Sequence, residues 1–497
     1  MYAQDVSAFP AGPAQLSQSR ECAATPKRFV TRHTITLSHK PLRYTAIAGE
    51  IQLHNLADDP IGSIFSFTYI KDGLRDASSR PVMFVFNGGP GSSSIWLHMG
   101  IVGPRRLALD REVNPRATPP FHVVDNPDTL LDVADLVFID PVGTGWSRAI
   151  CKGSAAEFWG VDQDAEAVSQ FIERWLTAHG RWDSPKFVMG ESYGSIRAAI
   201  LPRALMGGAM YGGVMRGITL NGIVLLGTTL EAREPTGRPR AELTDALYLP
   251  AAADAAWYHD RIDRRGRDLE TFHQEALSFA LGQYAEALRQ EKAGILSPEA
   301  AVEIKARLAA LTGLPAATFA TSIAVPRNFS HLLLAKEGLE IGTYDSRYTL
   351  PAGGTGGDPV ADDPAMAQYA PGFLAAFHQM VRTDLKVSME RAYGAIVWKD
   401  LLASWDWKRR GVAQEQSFGV DLAIGMRRNP KLEVLVASGY YDLSTNSATA
   451  EYTVRQAKPP MERVTFRRYP SGHMLYLGDT APAFSADVRA LILRASH

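Results

Sequence analysis

From Phe29 to Ile70 apolar and polar residues alternate in short runs, as in Tyr44-Thr45-Ala46-Ile47-Ala48 and Ile64-Phe65-Ser66-Phe67-Thr68-Tyr69. This period of two predicts antiparallel strands with one face buried. The runs that follow are of another kind. Val82 to Phe86, Leu136 to Ile139, Phe187 to Met189, Ile223 to Leu226 and Leu432 to Ala437 are continuous, short and bounded by Gly, Pro or Asp, as expected of strands buried on both faces. Stretches with helical periodicity, such as Asp164 to Ala178, lie between them. The pattern predicts an α/β fold with a central, mostly parallel sheet and helices on both faces.

Between residues 228 and 425 this rhythm gives way to helical segments, among them Asp268 to Gln290 and Ser297 to Leu311. In the second, Ser297 is placed as N-cap, Pro298 at the first helical position and Gly313 after the last turn. The expected organisation is a flexible tail over 1–28, a first core part over 29–227, a mainly helical lid insertion over 228–425 and a second core part over 426–497. The tail is rich in Ala, Ser, Gln and Pro and has no periodicity. Met1 to Ser19 has neither the early positive charge nor the apolar core of a secretory signal. Gly353-Gly354-Thr355-Gly356-Gly357 reads as a flexible loop, since no strand precedes it and no Gly-Lys-Ser/Thr follows.

Composition narrows the function classes. With 52 basic and 53 acidic side chains the net charge is −1, without the basic footprint of a nucleic-acid binder. No apolar run reaches the roughly 18 residues of a membrane-spanning helix. Two cysteines, Cys22 and Cys151, are too few for a disulfide framework or a cysteine-based zinc site, though they could pair with each other. No His-Glu-x-x-His or comparable spacing calls for a metal, and no cofactor is expected.

Gly190-Glu191-Ser192-Tyr193-Gly194 follows the apolar run Phe187 to Met189 and precedes a helix-like stretch from Ile196 to Met206. Strand, sharp turn and helix are the setting of a nucleophile elbow, in which small residues flank an exposed serine. Such a serine needs a histidine as base and a carboxylate to orient it, arriving in the order Ser, Asp or Glu, His. Asp442 lies in the turn after Leu432 to Ala437. Of the two histidines beyond it, His473 follows the strand-like Val464 to Tyr469, whereas His497 is the terminal residue. The oxyanion donors are expected to be the backbone N–H groups of Tyr193 and of Gly89, the latter in the glycine-rich loop Asn87 to Ser94 after Val82 to Phe86.

Asn87-Gly-Gly-Pro-Gly-Ser-Ser-Ser94, Asp140-Pro-Val-Gly-Thr-Gly-Trp-Ser147, Gly190-Glu-Ser-Tyr-Gly194, Gly439-Tyr-Tyr-Asp442 and Gly472-His-Met474 together resemble the serine carboxypeptidase family, in family order over residues 80 to 480. The resemblance implies an α/β-hydrolase fold with a helical insertion, a Ser192, Asp442 and His473 triad, and Gly89 and Tyr193 as oxyanion donors. It also implies release of single residues from peptides with a free C-terminus, whose carboxylate would be bound by Asn87, Gly88 and Glu191. In that family a second glutamate usually shares a proton with the one before the serine. Its position here holds Ile101, which shifts carboxylate recognition toward Asn87 and the Gly88 amide. The residues after the elbow, Ser195-Ile196-Arg197-Ala198-Ala199, also depart from the usual Gly, aromatic and Pro. Together with the low cysteine count they imply a distant, bacterial-type branch. The resemblance also implies an exported protein, periplasmic or secreted, although no secretory signal is visible in the sequence.

An esterase or acyltransferase would use the same triad, and a catalytically inactive binding protein could keep the fold. The remaining polar and aromatic features read more simply. His98 is expected to be packed or pocket-lining, Asp345 and Arg347 to form a solvated ion pair, and Trp398, Trp405 and Trp407 to pack in the core or lid.

Overall fold

The computed structural model describes residues 25–496 apart from 110–112, 114–117, 210, 229, 232, 234–242, 354–356 and 414–415. Most of the expected tail, the centre of the 353–357 glycine stretch, Cys22 and His497 therefore lie outside the described residues. Nine strands form the main sheet: β1 (Arg28–Leu37), β2 (Lys40–His54), β3 (Pro60–Lys71), β4 (Val82–Phe86), β5 (Asp135–Ile139), β6 (Lys186–Glu191), β7 (Gly222–Leu226), β8 (Glu433–Gly439) and β9 (Val464–Tyr469). Their order is β1-β2-β3-β5-β4-β6-β7-β8-β9, and the short strand Arg148–Ala149 adds to β3. β1, β2, β3 and β5 pair antiparallel, and from β5 to β9 every pairing is parallel. This is the α/β-hydrolase fold.

The continuous apolar runs have a direct cause. Along β4, Val82, Phe84 and Phe86 pack into one core while Met83 and Val85 pack into another. The first core lies under α1 (Val161–His179), α2 (Tyr193–Met206) and α4 (Gly419–Arg428); the second lies under α3 (Pro364–Thr383) and α5 (Ala481–Ala495). Neither face of these strands meets water, so neither can be polar. At the start of β5, an inner strand, Asp135 is fully buried and receives Arg80 Nε at 2.8 Å, Arg181 at 2.6 Å and the Lys71 amide at 3.0 Å, which satisfies the charge.

The chain between β7 and β8 is not one helical block. Its helices Thr244–Tyr258, Leu269–Phe279 and Pro298–Thr312 share a separate core with Phe319, Phe329 and Ile341. The later helices α3 and α4 are instead part of the two cores flanking the sheet. Ser297 caps its helix by accepting the Ala300 amide at 3.2 Å, and Gly313 closes it at φ 69°. The expected helix from Asp268 to Gln290 is interrupted: it runs over Leu269–Phe279, passes through a wide turn where Gly282 has φ −102° and ψ −106°, and resumes at Ala285–Lys292. Cys151 is disulfide-bonded. Among the described residues no helix is long and apolar enough to cross a membrane.

Candidate active site

The chain passes from β4 to β5 on one side of the sheet and then to β6 on the other side of β4. The carboxyl ends of β4 and β6 therefore open a crevice, the usual ligand position of an open α/β sheet. The loop Asn87 to Ser94 leaves β4 here, and the Ser192 turn leaves β6. Ser192 has φ 59° and ψ −128°, a strained conformation for a residue with a side chain, and its amide is tied to Leu226 O at 2.9 Å. A Cβ on Gly190 would stand 2.1 Å from the Gly194 carbonyl oxygen, so the turn closes only with glycine there. The glycine loop lies directly on the elbow, since a Cβ on Gly88 would meet the Tyr193 amide nitrogen at 2.4 Å.

Asp442 and His473 come from the turns after β8 and β9. Asp442 Oδ2 lies 2.9 Å from His473 Nδ1, with both side chains buried. Asp442 Oδ1 accepts the amides of Ser444 and Thr445, each at 2.8 Å. Thr445 Oγ1 donates to Asp442 Oδ2 at 2.6 Å and sits 2.8 Å from His473 Nδ1, so it shares that proton with the carboxylate. Burial opposes charge on the imidazole, but the Asp442 charge and hydrogen bond and the Glu191 charge outweigh it, and the His473 pKa is raised. Nε2 of the ring is then the free end, and His473 shares one cavity wall with Ser192.

That cavity, of about 290 Å³, is also lined by Asn87, Gly88, Gly89 and Glu191. Asn87 Oδ1 accepts the Leu97 amide at 3.1 Å, and its Nδ2 end is also buried. Glu191 is 4% exposed; Oε1 receives the Tyr476 hydroxyl at 3.4 Å, and Oε2 has no hydrogen-bond partner. Burial pushes the Glu191 carboxyl up to about 7, against the opposing pull of His473, Tyr476 and Asn87. Ile101 points into the core beside Met99 and Val102. The phenol of Tyr476 is thus the neighbour that Glu191 has in place of a second carboxyl.

Arg197, one of the residues after the elbow, braces this arrangement. It is 1% exposed, binds Asp164 through Nε at 2.6 Å and the Asn87 carbonyl through Nη1 at 2.9 Å, and lies 4.9 Å from the Phe86 ring centroid. Arg197→Met leaves Asp164 charged and buried alone, and is expected to lower the unfolding free energy by about 3–5 kcal/mol in urea titration.

Of the remaining sequence expectations, one is overturned, while His98, Trp405 and Trp407 are packed as expected. Asp345 and Arg347 are not solvated: they are 1% and 7% exposed, and their side chains are joined by two hydrogen bonds, of 2.9 and 2.6 Å. Trp398 lines the cavity, whereas Trp405 and Trp407 pack edge-on against Tyr193 at 5.2 and 5.8 Å. His98 is buried away from the cavity, stacked on Phe138 at 4.1 Å and bonded to the Tyr69 hydroxyl at 2.7 Å, and burial holds its pKa at about 3. Thr445 and Tyr476 escaped the sequence reading. Thr445 had a local signal, a hydroxyl three residues after a turn aspartate; Tyr476 had none.

The sequence profile described as serine carboxypeptidase matches residues 63–236. Among curated proteins, the pheromone-processing carboxypeptidase KEX1 of Fusarium vanettenii is 29% identical over 147 residues, which is 29% of this chain and 22% of that protein. The human retinoid-inducible serine carboxypeptidase is 30% identical over 134 residues, 26% of each chain. The matches thus span about a quarter of these relatives' length. Among solved structures, a truncated Kex1, described as a prohormone-processing carboxypeptidase from Saccharomyces cerevisiae, superposes with a TM-score of 0.55 over 90% of both chains at 15% identity. The profile match holds the glycine loop and the Ser192 elbow; Asp442 and His473 lie beyond it and meet them through the fold. Residues 63–236 are thus similar to the serine carboxypeptidase family, and the fold is that of its solved relative.

Proposed function

We propose that the protein is a serine carboxypeptidase that removes residues from the free C-terminus of peptides. The observation that carries this reading is the shared cavity, which puts Ser192 and His473 beside the buried Asn87 Nδ2 and a Glu191 carboxyl able to hold a proton near neutral pH. A donor set for a carboxylate next to a nucleophile is what exopeptidase chemistry needs and what a general esterase does not. Ser192 Oγ attacks the last peptide carbonyl as its proton passes to His473 Nε2, while Asp442 and Thr445 hold the ring through Nδ1. The Gly89 and Tyr193 amides stabilise the negative charge on the carbonyl oxygen. His473 then delivers the proton to the leaving amine, the terminal residue departs, and a water activated by the same imidazole hydrolyses the acyl-enzyme. Peptides offered with free and amidated C-termini test this by mass spectrometry. Loss of only the last residue, and only from the free acid, is expected; cleavage of simple esters alone would favour an esterase.

The rest of the cavity wall is apolar, including Trp96, Val360, Met366, Ile396, Trp398 and Met474. Burying a large aliphatic or aromatic side chain against it contributes about 1.5–3 kcal/mol. A panel of N-blocked dipeptides is therefore expected to show kcat/KM about 10- to 100-fold higher for Leu or Phe than for Asp or Lys beside the scissile bond. The chain between residues 228 and 425 would act as the lid that supplies much of this wall. The disulfide at Cys151 supports an oxidising, exported setting.

A further inference from the structure

The strands Leu339–Ile341 and Thr349–Pro351 form a small antiparallel hairpin in the chain between β7 and β8. Its tip reaches into the space between the turn that carries Asp442 and the turn that carries His473. Thr343 O accepts the Leu443 amide at 3.0 Å, and the Ser346 amide donates to Tyr441 O at 2.9 Å, so the tip grips the acid turn on both sides. Tyr344 O accepts the His473 amide itself at 2.6 Å, and the Tyr344 ring stands edge-on to the imidazole at 5.4 Å.

The ion pair at the tip locks the base turn. Asp345 Oδ2 accepts the Gly472 amide at 3.2 Å, one residue before His473. Arg347 reaches Pro470 O at 2.9 Å, Ser471 Oγ at 3.1 Å and Leu477 O at 3.4 Å while remaining paired with Asp345. A Cβ on Gly472 would stand 2.4 Å from Asp345 Cβ, so the approach depends on the glycine. The guanidinium thus closes three acceptors of one turn from a fixed base, which a flexible ammonium cannot reproduce.

We propose that this hairpin tip is a positioning element for the acid–base pair, with Asp345 and Arg347 as positioning residues that set the placement of His473 between Asp442 and Ser192. Neither touches the substrate. They act through the backbone of residues 470–477, and the inference rests on the assignment of Ser192, Asp442 and His473 as the triad.

The experiment compares Arg347→Lys and Asp345→Asn with the unmodified protein, using an activated ester as well as a peptide. Active sites are counted by fluorophosphonate titration, so that lost folded protein is not read as lost rate. Both variants are expected to show kcat per titrated site lowered about 10-fold or more with KM changed less than about 3-fold. The acid limb of kcat/KM should also move to lower pH, because Asp442 raises the His473 pKa and a loosened pair releases it. Ser471→Ala removes one acceptor of Arg347, leaves the ion pair in place and serves where Arg347→Lys does not fold; its kcat is expected to fall about 3-fold. Wild-type kcat per site and an unmoved acid limb in the folded variants, whatever their melting temperatures, overturn the proposal. An unmodified protein that turns over the ester but no peptide counts against the carboxypeptidase reading and leaves this comparison intact.

Discussion

Ser192→Ala is expected to lower kcat by about a million-fold, with KM changed far less, because the nucleophile and its base act as one unit. His473→Ala should cost about as much, and the double variant no more than either single one, since each removal already disables acylation. Asp442→Asn should cost less, about 10⁴-fold, through loss of the imidazole orientation and of the charge that supports the imidazolium. In this protein the effect has a second contributor. Thr445 Oγ1 bonds both Asp442 Oδ2 and the His473 Nδ1 end, so Thr445→Val should fall well short of the Asp442→Asn effect but remain measurable. Stopped-flow acylation with a fluorophosphonate reads this series without a peptide substrate. Labelling that persists in Ser192→Ala would sink the assignment of the nucleophile.

That series rests on residues far apart in the chain, and what made them readable was local. β4 to β8 are buried on both faces, so each appears as an unbroken apolar run, and the turn after each run is where side chains reach the crevice. Ser192 and Asp442 sit in two such turns, and His473 sits in the turn after the more polar, half-buried β9. The elbow was legible from small residues at fixed offsets, which the 2.1 Å approach of a Gly190 Cβ to Gly194 O explains. The support around the site was not legible in the same way. Arg347 has its acceptors at Pro470, Ser471 and Leu477, more than 120 residues away, and a charged Asp-Ser-Arg triplet gives no sign of whether a second turn will cover it. Arg197 looked like a departure from a family pattern; its partners Asp164 and Asn87 O are supplied by α1 and the β4 loop. Helical periodicity from Asp268 to Gln290 survives a break at Gly282, because the wide turn keeps the same face inward and only the backbone registers the change.

The discrimination between free and amidated C-termini is expected to depend on Asn87 and Glu191 in separable ways. Asn87 Nδ2 is held toward the cavity by the bond from the Leu97 amide to Oδ1. Asn87→Ala therefore removes one charge-assisted hydrogen bond to a bound carboxylate, about 1.5–3 kcal/mol, and kcat/KM for the free acid should fall about 10- to 100-fold. The amide substrate should change little, so the preference itself collapses; an unchanged preference would show that recognition does not run through Asn87. Glu191 acts through its proton. A charged Glu191 repels the incoming carboxylate, and a neutral one can donate to it. The groups that bear on it are His473, Tyr476, Asn87 and Asp442. In the proposed mechanism the working form has the proton on Glu191 and a neutral imidazole at His473. With the carboxyl pushed up to about 7, activity on free acids should decline as pH rises through about 7. Glu191→Gln cannot lose a proton and keeps two donors, so it should abolish that alkaline decline. The acid limb should stay largely in place, since below about 7 Glu191 is already protonated and exerts no charge on His473. Stability provides an independent reading. A carboxyl whose folded pKa lies above its unfolded value costs stability as pH rises from about 4.5 toward 7 and beyond, by about 3 kcal/mol in full. Glu191→Gln should then raise the melting temperature at pH 8 and leave it nearly unchanged at pH 4. Equal shifts at both pH values would show that Glu191 titrates alike in the folded and unfolded chain, and the alkaline decline would then need another group.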